Sequence, residues 1–250
     1  MSKAAILVDF HNIFGGEITN PTKIEFALNE IVQDALAQGD IDEIILRLYD
    51  GWYEEDKFTN EAYDVMTKLH NIEPIPHTYG NKIIRGKMEY AKSLFGDDFI
   101  FSNTCRHTKG PRLSLSSSLK DDVCNRYNDN CAISLVKRLT KSRTQFCTVV
   151  GCTKKNEDVL VQYGQKMVDN MICCDILTIG NPKEDTQAIY VLSDDVDMYP
   201  ALVQCRKNNE FIKLFVGLRH SLDKKNNTDI KILEHFTINP IKVNYDNTRI

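Results

Sequence analysis

The chain has 250 residues, 42% of them hydrophobic, with a formal net charge of −4. That allows a sizeable buried core in one large domain, and with no run of about 18 apolar residues it excludes a membrane-spanning helix. The acidic balance argues against a generic nucleic-acid binder, yet residues 101–155 carry eleven Lys or Arg against three Asp or Glu, a local +8 inside a body of −12.

The opening stretch from Met1 to Val8 has one basic residue and is cut short by Asp9, so it reads as a first strand rather than a signal peptide. A cytoplasmic protein is expected, and its eight cysteines are then reduced thiols or metal ligands rather than a disulfide framework. Cys173, Cys174 and Cys205 fall in apolar helical patterns and read as core.

The strand Ala4–Val8 ends at Asp9-Phe10-His11-Asn12, delivering a carboxylate and an amide to its mouth, with His11 read as a loop histidine. Asn20-Pro21 opens a helix whose apolar residues, Ile24 through Leu36, recur at three- and four-residue spacing until Gly39 stops it. Residues 41–49 read as a second buried strand ending in Asp50-Gly51, and 60–69 as a second helix. Pro74 and Pro76 restrict 72–77 to an edge strand.

From 78 to 144 the alternation stops. The segment is mixed and polar, with one short helix at 132–139, and is expected to be an inserted subdomain or lid. Pattern resumes with a strand at 145–150 and a long helix at 156–174, in which Lys166 and Asp169 share a face outside the apolar stripe, as a surface ion pair also would. A strand at 188–193, a helix at 198–207, a strand at 211–217, a short helix at 228–235 and an edge strand at 238–244 complete the chain. Strands alternating with helices predict an α/β fold with a mostly parallel central sheet covered on both faces.

The apolar run Tyr190-Val191-Leu192 ends in Ser193-Asp194-Asp195-Val196-Asp197-Met198-Tyr199-Pro200, three carboxylates in four positions. Taken alone, this also fits a helix capped by Asp197 with Asp194 and Asp195 in solvent. In a parallel sheet, however, functional groups gather beyond the carboxyl ends of the strands. Asp9, Asp195 and Asp197, joined by Asp169 from a helix, would then converge as the oxygen ligands that Mg²⁺ or Mn²⁺ prefers.

Asp9 with Asn12, the Lys166-Met167-Val168-Asp169 segment followed by Asp175, and the Ser193 to Pro200 segment together resemble the three motifs of the NYN domain, a branch of the PIN-like nuclease superfamily that includes LabA-like proteins. The resemblance spans most of the chain outside 78–144. It implies a three-layer α/β/α fold and a metal-dependent ribonuclease, endonucleolytic, with one or two Mg²⁺ or Mn²⁺ ions surrounded by Asp9, Asp169, Asp195 and Asp197. Asn12 would orient Asp9 or touch substrate. Ser193 would support the loop, and Lys166 would hold Asp169 charged or meet a phosphate. Asp194 stands where the family usually has glycine, and Asp175, six residues past Asp169, reads as a structural acid.

On the substrate side, Arg106, Lys109, Arg112, Arg138 and Arg143 of the basic segment join Lys166 and Ser193, giving a salt-sensitive grip on single-stranded RNA. Four of Cys105, His107, Cys124, Cys131, Cys147 and Cys152 could hold a structural Zn²⁺, but no CxxC spacing supports it and ordinary burial is expected. The alternative function is a catalytically inactive RNA-binding or scaffold module that recruits a protein partner through the inserted segment. A nucleotide-binding reading lacks any GxGxxG or GxxxxGK[ST].

Overall fold

Near-continuous apolar runs build the centre of the sheet. β1 (Lys3–Asp9), β2 (Glu43–Tyr49) and β9 (Thr186–Leu192) are buried along almost their whole length, as parallel strands covered on both faces must be. The computed structural model describes residues 1–15, 20–72, 74, 77–109, 151, 153, 155, 161–165, 167–219 and 227–245, with backbone alone at 77, 106–109, 161–164 and 227.

The chain folds as two compact units, one of Met1–Cys105 with Gln165–Ile250, the other of Arg106–Gly164. The first holds a seven-stranded sheet of order β11-β10-β9-β1-β2-β6-β5, completed by β5 (His77–Tyr79), β6 (Lys82–Tyr90), β10 (Lys213–Leu218) and β11 (Ile238–Lys242). Every pairing is parallel except that of β5 with β6. A small hairpin, β3 (Tyr53–Glu54) with β4 (Lys57–Phe58), follows β2. β7 (Cys105–Lys109) and β8 (Val161–Gln165) form a separate two-stranded sheet where the chain leaves and re-enters the first unit.

Helices cover both faces, giving the three-layer α/β/α arrangement. Ala4, Ile6 and Val8 of β1 pack with α1 (Phe10–Phe14), α2 (Pro21–Ala37) and α3 (Asn60–Leu69). Ala5 and Leu7 pack on the opposite face with α4 (Val168–Ile179) and α5 (Tyr199–Asn208), and α6 (Asn227–His235) joins that layer through Leu233. The predicted α2 stripe is the buried one, and Pro21 sits in its first turn, where a missing N–H costs nothing. Thr59 caps α3 by accepting from Ala62 N at 3.1 Å. Trp52 and Tyr53 are core, Trp52 donating its indole N–H to the Leu48 carbonyl at 2.9 Å. No described helix is long and apolar enough to cross a membrane.

Three expectations are corrected. The alternation does not stop at 78: β6 pairs with β2 in the main sheet, and it escapes a search for buried apolar runs because its polar residues alternate with half-buried ones. Within the predicted helix at 156–174, Val161–Gln165 is instead the strand β8 and the helix α4 starts at Val168, which puts Asp169 in its first turn. Cys205 is buried as expected, but Cys174 is exposed because the inward face of α4 is set by Val168, Met171, Ile172, Asp175, Ile176 and Ile179. The predicted helix at 132–139 and strand at 145–150 lie outside the described residues.

Candidate metal centre at the carboxyl ends of the strands

Strand order reverses at β1. The chain moves outward through β2 and β6 on one side and through β9, β10 and β11 on the other, so the crevice beyond β1 and β9 is the switch point where open parallel sheets bind ligands. Asp9 is the last residue of β1, and Ser193 follows the last residue of β9.

Hydrogen bonds lock these two strand ends together. Ser193, 1% exposed, donates its hydroxyl to Asp9 Oδ2 at 3.0 Å and accepts from the Asp195 backbone N–H at 3.0 Å. Asn12 Oδ1 accepts from the Asp194 N–H at 2.9 Å, so the Asn12 side chain latches α1 to the β9 loop. Its effect on Asp9 comes through its backbone N–H. Asp195, rather than Asp197, caps the short 3-10 turn Val196–Met198 by accepting from Asp197 N at 3.0 Å. Asp194 accepts from the Arg219 backbone N–H at 3.1 Å and ties the loop to the end of β10.

Asp9 itself is 3% exposed, and its Oδ1 has no hydrogen-bond partner among the described residues. Burial pushes its pKa up to about 6; the Ser193 hydroxyl and Asn12 N–H oppose that rise, while the charges of Asp169 and Asp50 add to it. Asp169 stands exposed in the first turn of α4, where partial desolvation and the charges of Asp195 and Asp197 also raise its pKa. Met167, just before it, adopts a left-handed backbone (φ 65°, ψ −7°), which costs a non-glycine residue about 1 kcal/mol or more and here turns the chain from β8 into α4. The four predicted aspartates thus form one electrostatically linked group. No three of them bring carboxylate oxygens within 4.8 Å of one another.

Asp175 has the structural role expected of it. Fully buried, it accepts from Tyr49 Oη at 2.5 Å and the Phe95 N–H at 2.8 Å and pairs with Arg47 Nη1 at 3.2 Å. Cys173 lies beside the acidic loop with its thiol pushed up to about 11, chiefly by burial, and is no nucleophile at neutral pH. Arg106 and Lys109 are placed in β7 by backbone alone, and Lys166, Arg112, Arg138 and Arg143 lie outside the described residues, as do Cys124, Cys131, Cys147 and Cys152 of the zinc set.

The sequence reading passed over Asp50. It directly follows β2, is 3% exposed, and is pushed up to about 6, chiefly by burial. His11 and Glu61 lie next to it, and the ligand atoms of all three residues fall within 4.8 Å of one another. The signal was present as a second strand-end acid, Tyr49-Asp50-Gly51. No family model, curated protein or solved structure matches the chain.

Proposed function

We propose that this chain is a cytoplasmic, metal-dependent ribonuclease of the NYN type, cutting single-stranded RNA endonucleolytically at the Asp9–Asp169–Asp195–Asp197 centre. The observation that carries this reading is Asp9 Oδ1, a carboxylate oxygen buried at the switch point with no hydrogen-bond donor among the described residues. A buried carboxylate in that condition is costly unless a cation completes it.

The donor set fits a hard divalent ion, since all four residues offer carboxylate oxygens. Asp9, Asp169, Asp195 and Asp197 would hold Mg²⁺ or Mn²⁺, which when bound supplies a water of lowered pKa and charge stabilisation at a phosphate oxygen. The chain's own residues fix the frame. Ser193 holds Asp9 and Asp195 in one hydrogen-bonded unit, and the Asn12 latch keeps the β1 and β9 mouths at a constant spacing. Because the raised pKa of Asp9 means a proton competes with the cation, affinity falls as pH drops through about 6. The +8 segment at 101–155 supports RNA as the substrate, by neutralising phosphates that the acidic body would repel.

A second reading is the inactive RNA-binding or scaffold module, and one observation favours it: the four aspartates do not close to direct-ligand separation. Cleavage of single-stranded RNA, structured RNA and single-stranded DNA with Mg²⁺ or Mn²⁺ separates the two. The nuclease reading expects cutting of single-stranded RNA that EDTA and Asp195→Asn abolish. Binding of RNA without cutting by wild type would favour the module.

A further inference from the structure

We propose that His11, Asp50 and Glu61 form a second cation site, distinct from the four-aspartate centre and suited to a first-row transition ion of the zinc class. Three elements deliver the ligands to one place. His11 lies in α1 just past β1, Asp50 follows β2, and Glu61 lies in the first turn of α3.

The separations are short enough for ligands of one ion. His11 Nδ1 and Glu61 Oε1 are 3.5 Å apart, beyond the usual N–H···O range of about 2.7–3.2 Å. Two ligands each about 2.0–2.1 Å from one tetrahedral ion stand about 3.3 Å apart. The 3.5 Å spacing therefore suits two ligands of one ion as well as a solvated ion pair.

Asp50 supplies the second, independent observation. Its Oδ1 accepts from the Gly51 N–H at 2.6 Å and from Gln165 Nε2, while its Oδ2 is buried with no partner among the described residues. One oxygen anchored by two donors and the other left open is the arrangement of a carboxylate oriented for a metal by its outer shell. Among the described residues no Lys or Arg forms an ion pair with Asp50 or Glu61, and the basic group that faces both carboxylates is the His11 imidazole.

The donor set decides the class. One imidazole nitrogen with two carboxylates is softer than the all-oxygen Asp9 centre, and imidazole favours zinc-like ions over Mg²⁺. Three protein ligands leave a further coordination position for water or a ligand oxygen.

The test uses Co²⁺ as a spectroscopic stand-in for Zn²⁺ in the chelator-stripped full chain. Wild type is expected to give saturable visible d–d bands that Zn²⁺ bleaches, without the intense near-ultraviolet charge transfer of cobalt–thiolate bonds, which separates this site from the eight cysteines. His11→Asn and Glu61→Gln, both at exposed side chains (61% and 54%) that folding does not require, should each weaken Co²⁺ binding by more than about tenfold. Gln165→Leu, which removes only the outer hydrogen bond to Asp50, should weaken it by about tenfold, and Asp169→Asn should leave the bands in place. Absence of the bands in wild type, their persistence unchanged in both His11→Asn and Glu61→Gln, or their loss in Asp169→Asn would overturn the proposal. The outcome is independent of the ribonuclease reading, which stands or falls on cleavage.

Discussion

Asp175 and Asp9 are both carboxylates taken out of water, and the protein treats them in opposite ways. Asp175 is enclosed on α4 with a phenol, a backbone N–H and the Arg47 guanidinium around it. Asp9, at the tip of β1, has one oxygen held by Ser193 and the other without a donor among the described residues. Burial alone therefore does not mark a site. An unmet valence at a strand end does, because a charge that only stabilised the fold would be paired as Asp175 is.

The largest expected effect tests the paired side of this contrast. Asp175→Asn leaves the buried Arg47 with only the longer contact to Glu89 at 3.9 Å and should destabilise the fold by about 3 kcal/mol in urea melts, while cleavage per folded molecule is retained. A neutral result would break the comparison. On the open side, Asp9→Asn should lower metal-dependent cleavage by more than about 100-fold and yet stabilise the metal-free protein at neutral pH by about 1–3 kcal/mol, because it removes a charge whose burial outweighs the hydrogen bonds of Ser193 and Asn12.

The same asymmetry appears in pH dependence. Asp9 and Asp50 are both pushed up to about 6, chiefly by burial, from an ordinary value of 3.8. Between those values the folded chain keeps protons that the unfolded chain has released, so the metal-free protein should lose stability as pH rises through that window and level off above it. Asp9→Asn should make the slope in urea melts taken across the window shallower. Smallest is Ser193→Ala. Losing the hydroxyl that bridges Asp9 and Asp195 should cost about 1 kcal/mol and push the Asp9 pKa higher still, which a carboxylate NMR titration would read.

Elements governed by local rules were legible in the sequence. α3 spans the residues its pattern predicted, and β1 and β9 announced themselves as buried runs ending in acid. β6 was not legible, because Lys82, Arg85, Lys87 and Glu89 interrupt it and only the tertiary pairing with β2 makes it a strand. The start of α4 was hidden for a related reason, since apolar residues of a strand and a following helix merge into one helical-looking stripe. Within the candidate site, the acids at the ends of β1 and β9 could be named in advance. That Asp195 caps the turn, that Asp194 reaches Arg219, and that Asp50 gathers His11 and Glu61 depend on loop geometry that no spacing encodes.

Calorimetric titration of Mg²⁺ into the metal-free chain, repeated with Asp169→Asn and in buffers of different ionisation enthalpy near pH 6, tests most directly whether the open valence of Asp9 is a cation's place. The account predicts saturable binding to wild type with proton release, and loss of both in the variant. Binding that is absent from wild type, or unchanged by Asp169→Asn, would contradict it.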